Sequence, residues 1–155
     1  MASMNYWLLK SEPTSYSIAD LARDQATIWD GVRNYQARNF LRSMQVGDLA
    51  LFYHSNTAPP GIAGLAKVVE ASLADPTQFD SQSQYFDPKS TRENPRWQTV
   101  KVAYDRTFPR LIGLDELKQK FTAEELGVVR SGSRLSVMPV DQAIARRILA
   151  LAELT

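Results

Sequence analysis

Apolar and polar positions along this chain predict short strands and short helices in mixed order. Tyr6-Trp7-Leu8-Leu9 is an apolar run suited to a buried strand, and Ser11-Glu12-Pro13 halts it. Ser17 and Asp20 have the spacing of a capping box before a short helix ending near Asp24. Asn34 can cap a second helix, in which Ala37, Phe40, Leu41 and Met44 recur at i, i+3, i+4 and i+7. Gly47-Asp48 then turns the chain into Leu49–His54. There Leu49, Leu51 and Tyr53 alternate with Ala50, Phe52 and His54, so the spacing predicts a strand covered on both sides. A turn at Thr57-Ala58-Pro59-Pro60-Gly61 leads to a strand over Ile62–Ala71, with Gly64 marking a bulge or a close approach. Asp75–Arg96 reads as mostly loop, and Gln98–Phe108 as a strand from Val100, Val102 and Tyr104 at period two. Helical pieces are expected at Leu114–Lys120 and Thr122–Leu126, then a last strand at Leu135–Met138. Asp141 caps a terminal helix that turns Ile144, Ile148, Leu149 and Leu151 to the core. Strands and helices do not alternate regularly, which favours α+β around a curved or barrel-like sheet over a doubly wound one.

Composition narrows the class. The 155 residues suit one domain with a single sizeable core, and 44% hydrophobic with 23% charged residues is ordinary for a globular chain. There are no cysteines, so disulfides, thiolate metal sites and a cysteine nucleophile are all excluded. No stretch is long and apolar enough to span a bilayer, and the N-terminus lacks the pattern of a signal peptide. A cytoplasmic protein without membrane attachment is expected. Eighteen Lys+Arg against seventeen Asp+Glu leave a net charge of +1, far from the balance of a protein that grips duplex DNA by phosphates alone. Local runs are more basic. Arg33, Arg38 and Arg42 are the only charges from 32 to 47, and Arg130 and Arg134 the only ones from Leu126 to Val140.

Candidate chemistry is sparse. His54 is the only histidine, and neither a nucleophile elbow nor a Walker or dinucleotide glycine motif occurs. His54 beside Ser55 lacks an orienting third group, and its plain reading is a hydrogen-bonding residue at a strand end. Trp29, between a short strand and the turn glycine Gly31, is more suggestive. A large ring there can wall a cavity, with Asp30 and Asn34 for a base edge and Arg33 for a phosphate. The bland alternative is that Trp29 is ordinary core. Trp7 reads as core, and Trp97 as either.

Four ordered motifs carry a resemblance. They are Trp7-Leu8-Leu9-Lys10-Ser11-Glu12-Pro13, Trp29-Asp30-Gly31-Val32-Arg33-Asn34-Tyr35-Gln36-Ala37-Arg38-Asn39, the run Gly47–Asn56, and Arg134-Leu135-Ser136-Val137-Met138-Pro139-Val140. With Gly61-Ile62-Ala63-Gly64 and Arg96-Trp97, they make the chain resemble the EVE domain family from about Asn5 to Leu151. The resemblance implies one PUA-like α+β domain over residues 4–155: a β pseudobarrel with surrounding short helices and a C-terminal helix. It also implies a likeness to YTH domains, which read methylated adenine in RNA. The function implied is a non-catalytic reader of a modified base in DNA or RNA, with no cofactor and no metal, acting as a monomer.

Carried over by residue, the resemblance builds the base pocket from Lys10, Ser11 and Glu12, and from Trp29, Asp30, Gly31 and Val32. His54 and Ser55, with Leu135 and Ser136, would close it, while Arg33, Arg38 and Arg134 approach the backbone. Eukaryotic relatives carry a basic N-terminal tail, whereas only Met1–Met4 precede the domain here, so tail-driven nuclear targeting is not expected. Two other functions remain open: binding of a free nucleobase or nucleoside in the same cavity, and an enzyme acting on nucleotides.

Overall fold

The structure is a computed structural model and describes residues 4–153. Six strands form one sheet: β1 (Tyr6–Ser11), β2 (Ala26–Ile28), β3 (Leu49–His54), β4 (Gly61–Ala74), β5 (Gln98–Gly113) and β6 (Val137–Val140). Four helices accompany it: α1 (Ile18–Asp24), α2 (Tyr35–Ser43), α3 (Leu114–Lys120) and α4 (Gln142–Ala152). The strand order is β2-β5-β4-β3-β1-β6. Among the described residues only β1 and β3 pair in parallel, and parallel neighbours need a long crossover. Residues 12–48 supply it: they place β2 on the sheet edge beside β5 and bring α1 and α2 over one face of the sheet.

The expected alternation in β3 has the expected result. Leu51 and Tyr53 join Leu8, Ile62 and Ile112 under α3 and α4, while Ala50 and Phe52 join Trp7, Leu9 and Val100 under α1 and α2. Each face thus has its own core and both are covered. The pairing of β4 with β5 shifts register at Ile62/Gly64, Leu65/Ala66, Val68/Glu70 and Glu70/Leu73, and such bulges add local twist and bend a long pair. Gly64 is required there: a Cβ would clash with the Arg106 carbonyl oxygen and meet Ile18 Cγ1 at about 2.8 Å.

The caps are local and as expected. Ser17 Oγ accepts from Asp20 N (3.1 Å) and Asp20 Oδ2 from Ser17 N (2.9 Å). Asn34 Oδ1 accepts from Ala37 N (2.9 Å), and Asp141 Oδ1 from Ala143 N (2.9 Å). Two expectations are corrected. Thr122–Leu126 is a turn, although Thr122 N and Glu125 N donate to each other's side chains at 2.9 and 3.2 Å. A box on five residues followed by Gly127 does not offset the cost of nucleating a helix. The last strand is Val137–Val140, not Leu135–Met138, because β1 pairs it from Leu9↔Val137 to Tyr6↔Val140. Beyond that, one bond from Lys10 N to Ser136 O (2.9 Å) continues the contact. Among the described residues, no helix is long and apolar enough to cross a membrane.

Candidate functional site

The end of β1, the turn after β2 and the residues before β6 meet around a cavity of about 530 Å³. Its size falls in the usual range for small-molecule pockets, roughly 300–1,000 Å³. Lys10, Ser11 and Glu12 line one side; Thr27 to Arg33 line another, and Ser136, Ser15, Tyr16 and Tyr85 complete the wall.

Trp29 satisfies both readings of its ring. It is 9% exposed, and packs edge-on against the core residue Phe52 at 5.5 Å and 86°, yet it also walls the cavity. Its backbone is pinned to β5: Trp29 N donates to Val100 O (2.9 Å), and Thr99 Oγ1 donates to Trp29 O. Beyond the ring the chain turns at Gly31, whose φ of +84° favours glycine. Gly31 N donates to Oδ2 of the buried Asp75 (2.8 Å), and a Cβ at Gly31 would meet the Tyr85 ring at about 2.7 Å.

Arg33 shares Asp75, at 3.0 Å from Nη1. It also donates to Val32 O, to Thr77 Oγ1 and twice to Tyr85 O. Its guanidinium lies 5.1 Å from the Trp97 ring centre and 5.6 Å from that of Tyr85. All five of its N–H groups are spent inside the protein, so Arg33 fastens the cavity rim to the 75–97 loop.

Polar groups converge on the space. Burial lowers the Lys10 amine from its ordinary 10.5, and Nζ donates to Ser133 O at 3.3 Å. Loss of solvation raises the Asp30 carboxyl above its ordinary 3.8, and the charge of Asp75 adds to the rise. Ser11 Oγ donates to Tyr16 O (2.6 Å), leaving its oxygen able to accept. Burial first, then the bond to Asp24 Oδ2 (2.8 Å), push the Tyr16 hydroxyl up to about 12. Glu12 Oε1 accepts from Asn56 Nδ2 at 2.5 Å. A cavity holding a cationic donor, carboxylate acceptors, hydroxyls and an indole wall can bind a flat, hydrogen-bonding ligand.

Lys10, Ser11, Glu12, Trp29, Asp30, Gly31, Val32, Arg33 and Ser136 are brought together, while five other expected site residues lie elsewhere. His54 Nε2 accepts from Ile18 N (3.1 Å) at the start of α1, and burial lowers its pKa from 6.5. Ser55 N continues the β1–β3 ladder with Ser11 O (2.9 Å). Leu135 packs against both cores. Arg38 sits on α2 and bonds Arg96 O (2.9 Å). Arg134 is exposed, with no hydrogen-bond or ion-pair partner among the described residues. Thr27 and Ile28 could have been found by adjacency to Trp29, but Ser15, Tyr16 and Tyr85 carry no local signal. Among the described residues there is no cluster of three His, Cys, Asp or Glu placed to hold a metal.

A profile of the EVE domain matches residues 5–151. Rat thymocyte nuclear protein 1 is 46% identical over 96% of this chain and 74% of its own length. A crystal structure of a Pseudomonas putida protein is 52% identical, covers 95% of this chain and 99% of that one, and superposes with a TM-score of 0.90. The structure of human THYN1 in complex with 5-methylcytosine-containing DNA is 42% identical, covers 97% and 99%, and has a TM-score of 0.88. The PUA-like α+β fold expected from the motifs is the fold of these neighbours.

Proposed function

This chain belongs to the EVE domain family, and from that premise we propose that it binds nucleic acid and holds a modified base, unaltered, in the Trp29 cavity. The observation that carries the reading is the cavity itself: about 530 Å³, lined by Trp29 together with the donors and acceptors of Lys10, Ser11, Glu12, Asp30 and Ser136. A base needs such a wall to stack on, with Asp30 to accept from an exocyclic amine and Lys10 to donate to a ring carbonyl. The human relative bound to 5-methylcytosine-containing DNA supports nucleic acid as the partner. A proton-transfer role has a weak footing, since His54 faces α1 and Glu12 is engaged by Asn56.

The saturation of Arg33 favours a second reading, a free modified nucleoside, because the rim then lacks its nearest phosphate donor. Calorimetry with oligonucleotides differing only in one modified base tests the first. Tighter binding of at least one modified form is expected, and Trp29→Ala should remove about 1–3 kcal/mol of it. Nucleosides recovered afterwards should be unchanged by mass spectrometry. Equal affinity for every modified and unmodified form, or turnover of the base, would sink the proposal.

A further inference from the structure

Helix α2 leaves the cavity rim directly: Val32 and Arg33 line the cavity, Asn34 caps the helix and Tyr35 begins it. Its inward face is the apolar set Ala37, Phe40, Leu41 and Met44. Its outward face repeats at the same spacing and carries Tyr35, Arg38, Asn39 and Arg42. Tyr35 is 54% exposed, although tyrosine normally finds cover for its ring. Its ring stacks on the buried Trp97 with centres 5.0 Å apart and planes 17° from parallel. The Arg38 guanidinium lies 4.7 Å from the Tyr35 centre and 5.9 Å from the Trp97 centre. Arg38 thus lies against the Tyr35 ring, and Tyr35 still leaves about half of its surface to solvent.

The charge on this face is all of one sign. No Asp or Glu occurs from Gly31 to Gly47, and Arg42 is exposed with no ion-pair partner among the described residues. Asp87, which accepts from Trp97 Nε1 at 2.8 Å, is matched by Arg96 at 3.9 Å. Arg38 donates to Asn39 Oδ1 from Nε and Nη2 and to Arg96 O from Nη1, which leaves it without a carboxylate partner and with N–H groups to spare. An exposed aromatic ring beside cations that no carboxylate neutralises is the surface a single nucleic-acid strand requires, with bases on rings and phosphates on arginines. From Tyr35 to Arg42 the helix rises roughly 10 Å, about the axial rise of three nucleotides.

We propose that the outward face of α2 is the track for the nucleotides flanking the pocketed base, with a flanking base on Tyr35 and phosphates on Arg38 and Arg42. It deepens the modified-base reading and names a separate surface for the same strand.

The two are separable by measurement. Fluorescence anisotropy compares a single-stranded DNA carrying one central 5-methylcytosine with its unmethylated twin. The ratio of the two affinities reports on the cavity, and the absolute affinity reports on α2. Tyr35→Ala should weaken binding of both DNAs by about 5- to 150-fold, leave their ratio unchanged, and be rescued by Tyr35→Phe. Arg42→Gln, which breaks no internal bond, should lower the slope of log affinity against log salt by about 0.7. A wild-type ratio of one removes 5-methylcytosine as the cavity's ligand while the α2 track still stands or falls on absolute affinity. Unchanged affinity in Tyr35→Ala, or an unchanged salt slope in Arg42→Gln, overturns the track. So does a Tyr35→Ala loss confined to the methylated DNA, which would move Tyr35 into the pocket's own machinery.

Discussion

At the scale of single residues, the cavity depends on a few side chains that do two jobs. Trp29 anchors its inner edge in the core on Phe52 and gives the cavity its wall, so its position is set by packing rather than by ligand. Gly31 allows the turn that follows and lets Tyr85 close over it. Gly31→Ala therefore meets two penalties, a positive φ disfavoured for an L side chain and a Cβ that clashes with the Tyr85 ring. Urea denaturation should show a loss of about 1–2 kcal/mol from the backbone alone. Base binding should weaken with it, because the substitution pushes Tyr85 off the cavity. A variant as stable as the parent would mean that the loop readjusts freely. Only one role of Gly31 is visible locally: the glycine itself suggests the turn, but Tyr85 lies across a long polar loop.

At the scale of elements, α1 shows how a residue singled out for chemistry serves structure. The helix has seven residues and a capping box, and His54 at the end of β3 accepts the Ile18 N–H. An imidazole can accept there only when neutral, and burial already lowers its pKa below the ordinary 6.5. Folding thus favours the unprotonated form. The stability His54 contributes is complete above pH 6.5 and is lost as pH falls through its lower folded value. Asp30, with a raised pKa, works in the opposite sense, so the His54 term must be isolated by substitution. His54→Gln keeps an acceptor and removes the titration. Thermal melts should show the wild type losing stability below pH 6.5 more steeply than this variant, and identical profiles would remove the cap from the account. As the only histidine, it leaves no second imidazole to confuse the comparison.

At the scale of the whole molecule, net charge and local charge pull apart. A balance of +1 gives little long-range attraction for a polyanion, and Arg33, the arginine that lines the cavity, is spent internally. Among the arginines of α2 and those expected at the backbone, Arg38, Arg42 and the exposed Arg134 remain for phosphates. Affinity for an oligonucleotide should therefore fall only shallowly with salt, with a log–log slope near −2 for about three contacts on a single strand. Titrations at several salt concentrations check this. A slope of zero, with affinity equal to that for the free nucleoside, would make the protein a small-molecule binder. A slope several times larger would mean that basic surface away from α2 dominates.

Read from its residues alone, the chain determined whatever a short window decides. The capping pairs at Ser17–Asp20, Asn34 and Asp141, the two-sided burial of β3 and the glycine-marked bulge at Gly64 all follow from neighbours within a few positions. Those choices rest on backbone donors, helical period and strand alternation, which are local by nature. Tertiary structure alone decided what needs partners far apart in sequence. Asp75 ties Gly31 and Arg33 across more than forty residues, Tyr85 returns to wall the cavity, and His54 turns from the cavity to cap α1. Strand ends followed the same rule: β6 starts where β1 offers partners, not where Leu135 begins an apolar run. An ion pair or a cavity wall exists only once the crossover between β1 and β3 and the loop between β4 and β5 have met, and no local pattern encodes that meeting.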